Sequence, residues 1–148
     1  MQQKHWLLLG HPAFKAQLNQ YLVAAIVSKS IVGEDWKNTK AGKKYIAALR
    51  LVHEIIPRNP GDPAFRLGKA LGPKHSHWFR AKFFQQYRIF FRYSSLSRVI
   101  VYGWMNNEST KRAYESKTDA YAVFKRMLEQ GKVPNNWDEL IAESEKLN

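Results

Sequence analysis

Arg80 and Lys82 stand two residues apart in WFRAKFF, and Arg88 and Arg92 stand four apart in YRIFFRYS. Both stretches are rich in aromatic and β-branched residues, which favour strands. In an extended chain alternate side chains point to opposite faces. Trp78, Arg80, Lys82 and Phe84 therefore share one face of the first stretch, and Phe79, Ala81 and Phe83 the other. In the second, Tyr87, Ile89, Phe91 and Tyr93 point one way, and Arg88, Phe90 and Arg92 the opposite way. If the two pair as a hairpin with their apolar faces on one core, the four cations meet on the solvent face as a patch sized for phosphate.

A patch of this kind binds the phosphates of a polyanion, and with no carboxylates nearby to hold metal ions any cleavage of a phosphodiester there would be metal-free. That reaction needs a base for the 2′-hydroxyl proton, charge to stabilise the extra negative charge at phosphorus, and an acid for the leaving 5′-oxygen. A guanidinium is always charged and grips two phosphate oxygens at once, so Arg88 is expected to stabilise the transition state. As a solvent-face residue it would be removable without damage to the fold. Crowding of Lys82 by Arg80, Arg88 and Arg92 favours a neutral amine, which moves it toward use as a base. Lys69, Lys74 and Arg92 would hold RNA phosphates.

His77 could join them, whereas His75 and His77 read first as exposed loop residues, and His5, His11 and His53 as satisfied structural histidines. Two histidines without acidic or thiolate companions make a poor metal site. No cofactor is implied. Cysteine is absent, which excludes disulfides and thiol nucleophiles and suits a cytoplasmic setting.

Charge agrees with a polyanionic partner. The 148 residues carry 24 Lys and Arg against 12 Asp and Glu, a net charge of +12. From Pro63 to Asn107 there is no acid at all. Aromatics interleaved with these cations suit single-stranded RNA, although most of them are expected in the core. The opening apolar run ends at Pro12, too short for a membrane span.

The elements that must position these groups can be read along the chain. Residues 5 to 10 suit a first strand, and Pro12 the first turn of a helix carrying Phe14, Leu18, Tyr21, Leu22, Ala25 and Ile26 on its apolar face. Tyr45, Leu49, Val52 and Ile56 mark a second helix, stopped near Ile56 by Pro57. RNPGDP, residues 58 to 63, is the loop to a sheet half with strands at 78 to 84, 87 to 94 and 98 to 104, most simply an antiparallel meander. Tyr121, Phe124, Met127 and Leu128 lie on a third helix begun by Ser116 or Thr118 and closed by Gly131. Asn136 starts a final acidic helix that is expected to reach the terminus. The whole, residues 1 to 148, reads as one domain.

HPAF, PAFRLGKALG, YRIFFRYS, VIVYGWMN and KTDAYAVFKRMLEQGKVPNNW, in this order and spacing, resemble the YhaV family of toxins from toxin-antitoxin modules, within the RelE/ParE superfamily. The resemblance covers most of the chain except residues 28 to 44 and the last few. It implies an α+β fold with N-terminal helices packed on an antiparallel sheet, followed by C-terminal helices. It also implies an endoribonuclease that cuts messenger RNA on the ribosome and is silenced by a PrlF-like antitoxin. Operator DNA, reached through the toxin-antitoxin complex, is a further partner it allows.

The superfamily pattern of alternating basic residues, a turn and a Tyr-Arg pair is met by Arg80, Lys82, Tyr87 and Arg88. Its tyrosine before the C-terminal helix is matched by Tyr114, with Tyr121 as the alternative, and Arg112 is the candidate for a second catalytic arginine. The competing functions are a non-catalytic RNA- or DNA-binding module and a ParE-like poison of DNA gyrase. An acidic antitoxin segment would lie across the face of Arg80, Lys82, Arg88 and Arg92, because carboxylates pair with guanidinium as phosphate does, the alternative being inhibition by displacing the C-terminal helix near Tyr121 and Phe124.

Overall fold

The computed structural model describes residues 5–113 and 116–147. Strand β1 (Leu7–Gly10) leads into helix α1 (Pro12–Val32). The side chain of His11 caps α1 by accepting from the Ala13 N–H, and Pro12 occupies its first turn. Helix α2 (Lys40–Arg50) begins at Thr39, whose hydroxyl accepts from the Gly42 N–H at 3.0 Å. Gly42 is obligatory there, since a Cβ would stand 2.0 Å from the Trp36 carbonyl oxygen. The coil runs on through a π-helical turn (Leu51–Ile55) into the short α3 (Ile56–Arg58). It thus passes Pro57 rather than ending at Ile56. The widened turn lies where the proline ring would meet the carbonyl four residues back.

Strands β2 (Phe79–Phe83), β3 (Tyr87–Ser94) and β4 (Val99–Met105) form the expected antiparallel meander. Beyond them come helices α4 (Ala120–Glu129) and α5 (Trp137–Glu143) and strand β5 (Glu145–Lys146). The sheet order is β2-β3-β4-β1-β5, and β1 runs parallel to β4. The fold is therefore α+β with a mostly, not wholly, antiparallel sheet. The long helical connection after β1 permits the parallel pairing, which a four-residue strand does not announce in its sequence. The final helix stops at Glu143 and does not reach the terminus, because Glu145 and Lys146 pair with Gly10 and Leu9. Among the described residues no helix is long and apolar enough to cross a membrane.

Both faces of the sheet are covered. On one, Phe14 and Tyr21 of α1 and Ala48 of α2 pack with Ile89, Phe91, Ile100 and Tyr102. Ile26, expected on that apolar stripe, is 57% exposed. On the other face Phe124 and Leu128 of α4 and Leu140 of α5 pack with Trp78, Phe90, Val101 and Trp104. Phe124 stacks on Phe90 at 4.4 Å and meets Trp78 edge-on at 5.0 Å between centroids. The register shifts between Phe90 and Phe91, which pair with Trp104 and Tyr102. The extra residue of this bulge, Gly103, lets Trp78 close in, since a Cβ would stand 2.6 Å from its ring.

Candidate active site

The alternation that segregates the cations holds, but their face is not the solvent face expected from the sequence. It is the second core face, covered by α4 and α5, and the cations lie at different depths in it. Lys82 is exposed, Arg80 and Arg92 are half-buried and Arg88 is buried, 6% exposed. The reason is that two amphipathic helices follow the meander and need an apolar surface, which Trp78, Phe90, Val101 and Trp104 supply.

The register explains which charges meet. Lys82 pairs with Arg88 and Arg80 with Phe90, so Arg80 and Arg88 are diagonal neighbours on one face. Between them stands Tyr121, whose hydroxyl oxygen accepts from Arg80 Nε at 2.9 Å and from Arg88 Nε at 3.1 Å. Arg80 Nη1 donates to the Ala64 carbonyl at 3.0 Å, and Arg88 Nη1 to the carbonyls of Gln85 at 2.6 Å and Tyr87 at 2.9 Å. Neither Nη2 makes a hydrogen bond among the described residues. The tyrosine ring is flanked by Arg112, whose guanidinium carbon lies 4.7 Å from its centroid.

Two further residues set this geometry. Asp119, 4% exposed, accepts from the N–H groups of Tyr121 at 3.0 Å and Ala122 at 3.3 Å and so caps α4. Its other oxygen takes Arg112 Nη1 at 2.5 Å and the Ala113 N–H at 2.7 Å. The cap is thus Asp119, not Ser116 or Thr118, because a carboxylate can serve the helix and a guanidinium at once. Asn106 is fully buried, and its side chain accepts from the Arg88 N–H at 2.7 Å and donates to the carbonyls of Gln86 at 2.9 Å and Thr110 at 2.8 Å.

These bonds hold the β2–β3 turn, in which Phe84 and Gln85 adopt positive φ of 43° and 60°. Such conformations cost about 1–2 kcal/mol each for non-glycine residues and persist only where neighbours impose them. Arg88 is one of the neighbours that do so. Arg88 is therefore not the solvent-face residue expected, and its removal should carry a structural cost.

Arg92 serves as a strut. Its Nη1 donates to the Asn135 carbonyl at 2.6 Å, and its guanidinium lies over Trp78 and Trp137 at 5.7 and 5.2 Å. Burial lowers its pKa from the usual arginine range. His75 is buried against Asn135 Oδ1 at 3.2 Å and so is not the exposed loop residue expected, while His77, Lys69 and Lys74 are exposed. His11 is the satisfied structural histidine expected, with Nε2 2.9 Å from Glu143. Tyr114 lies outside the described residues. Arg88 is buried and Arg92 half-buried, so an acidic inhibitor laid across this face would meet Lys82 and Arg80 first.

Sequence reasoning did not single out Asp119 or Asn106 for the site. The signal for Asp119 was its place just ahead of an amphipathic run; Asn106 left none, because its role is set by a strand pairing. On the far side of the same turn Glu108 accepts from the Tyr87 hydroxyl and from Lys44 Nζ at 3.1 Å, with Lys40 and Lys111 at 3.3 and 3.2 Å. The Tyr87 bond, with help from the lysines, holds the Glu108 carboxyl well below the usual carboxylate range. Burial, followed by the bond to Glu108, pushes the Tyr87 phenol well up.

A phenol held between guanidinium groups on an α+β scaffold suits the binding of phosphate, and the comparisons with known proteins point to a nuclease. A family described as a toxin with endonuclease activity, of toxin-antitoxin systems, matches residues 8–145. The chain belongs to this family, the YhaV toxins. It is 44% identical over 146 residues to Toxin YhaV of Escherichia coli O6:H1 (strain CFT073), covering 95% of this chain and 93% of the relative. The same figures hold for Ribonuclease toxin YhaV of Escherichia coli K12. No solved structure matches.

Proposed function

We propose that this toxin is a RelE/ParE-type endoribonuclease, one domain over residues 1–148, that cleaves messenger RNA in the cytoplasm during translation, without a metal. The observation that carries this reading is the convergence of Arg80 and Arg88 on the Tyr121 hydroxyl. The K12 relative's description as a ribonuclease supports the choice of RNA.

Both Nε donors are spent on orienting the phenol, which leaves the Nη2 groups for the two non-bridging oxygens of the scissile phosphate. Tyr121 donates its proton to the leaving 5′-oxygen, and the charge left on the phenol oxygen meets two guanidinium groups already in place. Lys82, exposed beside Arg88, takes the 2′-hydroxyl proton. Lys69, Lys74 and His77 are exposed and bind flanking phosphates. Tyr121 thus takes the role for which the sequence offered Tyr114. A PrlF-like antitoxin is the silencing partner, and the complex of the two binds operator DNA.

The test is cleavage of end-labelled RNA by the purified protein in the presence of a chelator. The expected products end in a 2′,3′-cyclic phosphate and a 5′-hydroxyl, and Tyr121→Phe lowers the rate about 100-fold, the usual loss for one positioned proton donor. A Tyr121→Phe variant that cleaves at the wild-type rate would remove the tyrosine from the mechanism. Products with 3′-hydroxyl ends would remove the 2′-hydroxyl attack.

A further inference from the structure

The β2–β3 turn separates two cationic groups. On one side lie Arg80, Arg88 and Arg112 around Tyr121, and on the other Lys40, Lys44 and Lys111 around Glu108. The segment 106–113 joins them, tied to the turn by the Arg112 N–H on the Gln86 carbonyl at 2.8 Å. Lys111 therefore faces one cluster and its neighbour Arg112 the other.

Around Glu108 the arrangement has the form of an occupied anion site. Oε1 meets Lys40 and Lys111 at 3.3 and 3.2 Å, and Oε2 meets Lys44 at 3.1 Å and accepts from the Tyr87 hydroxyl. Three ammonium groups surround one carboxylate, so the cluster keeps a net positive charge. Lys44 is itself fixed, lying 5.3 and 4.7 Å from the ring centroids of Tyr21 and Tyr87. The Glu108 side chain is 52% exposed and can swing out. Beside it opens a cavity of about 520 Å³ lined by Gln20, Tyr21, Thr39, Lys44 and Asn107, a size that accepts a small-ligand group. At the turn between the clusters Phe84 is 49% exposed; its ring lies tilted against that of Phe83, 5.8 Å between centroids, and presents open surface on which a base can stack.

We propose that Lys40, Lys44 and Lys111 form a second phosphate subsite for the RNA strand, which crosses the turn over Phe84, and that Glu108 occupies this subsite when RNA is absent. The subsite deepens the nuclease reading by extending its substrate path. Glu108 then acts as an internal competitor: a strand long enough to reach the lysines must displace it, whereas a short one held only at Tyr121 does not meet it.

The experiment measures binding of 2′-O-methyl oligoribonucleotides, which cannot be cut by 2′-hydroxyl attack, to the intact protein and to Glu108→Gln. The expected result is binding of a 16-mer tightened about threefold to fivefold, the worth of one or two exposed ion pairs, with binding of a 4-mer unchanged. Lys40→Ala, at a side chain 74% exposed, should weaken the 16-mer alone and flatten its dependence on log salt by about 0.7, the loss of one phosphate contact on a single strand. Equal or weaker 16-mer binding by Glu108→Gln overturns the proposal and leaves an ordinary surface ion network. Tighter binding of polyglutamate but not of RNA overturns it too, by assigning the lysines to an acidic protein. Wild-type protein that binds as expected but cuts no unmodified RNA would refute the nuclease reading separately.

Discussion

The two faces of the sheet are made by the same strands with the same alternation, yet they do different work. On the α1 side every strand residue in the core is aliphatic or aromatic, and two of its phenols are spent on backbone carbonyls. Tyr21 donates to Asn106 and Tyr102 to Val52, each at 2.7 Å. On the α4 side Arg80, Arg88 and Arg92 share the surface with Trp78, Phe90 and Trp104, and each donates to a carbonyl at its margin. One face is covered by helices of 21 and 11 residues, the other by helices of 10 and 7. The shorter cover leaves room at the β2–β3 end for charge. A guanidinium is tolerated beside a core when its N–H groups find carbonyls, and those bonds also hold it in the geometry a substrate needs.

The largest test of this contrast compares one cavity on each face. Phe14→Ala and Phe124→Ala should each cost about 3–5 kcal/mol of stability, since both rings are fully buried. Denaturant unfolding measures that cost. Only Phe124→Ala should also depress RNA cleavage per folded molecule, because α4 carries Tyr121. Equal activity loss from both would erase the division of labour between the faces.

A somewhat smaller effect is expected at Arg88. Arg88→Ala should lower the cleavage rate about 100- to 1000-fold, the range for one preorganised donor to a developing charge. It should also lower stability by about 1–3 kcal/mol, because carbonyls of the strained turn lose their donor. Single-turnover cleavage and thermal melting read the two effects separately. A variant of undiminished stability would restore the sequence's picture of a solvent-face residue.

The smallest expected effect concerns alkaline pH and the α1 face. Burial raises the pKa of Tyr102 and, with the neighbouring Tyr87 and Glu108, that of Tyr21. Unfolded tyrosines lose their protons near pH 10. Above that pH the unfolded chain binds fewer protons than the folded one, so stability is fully present below about pH 10 and falls as pH rises toward the folded values. Tyr102→Phe should flatten this decline while lowering stability at neutral pH. Melting temperatures between pH 8 and 11 that fall equally in both proteins would rule out Tyr102 as a source.

The sequence by itself determined the strands of the meander, the α+β class and the segregation of Arg80, Lys82, Arg88 and Arg92 onto one face. The strands and the segregation follow from local rules, namely β propensity, the alternation of side chains and turn composition, while the α+β class is what the family resemblance implied. The sequence also carried that resemblance, which rests on ordered motifs and needs no coordinates. Only the tertiary structure decided that the cationic face is a second core face, because that depends on where α4 and α5, which begin at Ala120 and Trp137, dock on strands that have ended by Met105. The same holds for the parallel pairing of β1 with β4, for Asn106 as the tie of the turn, and for Tyr121 between two arginines. Each is a contact between residues distant in the chain, and no local spacing encodes it.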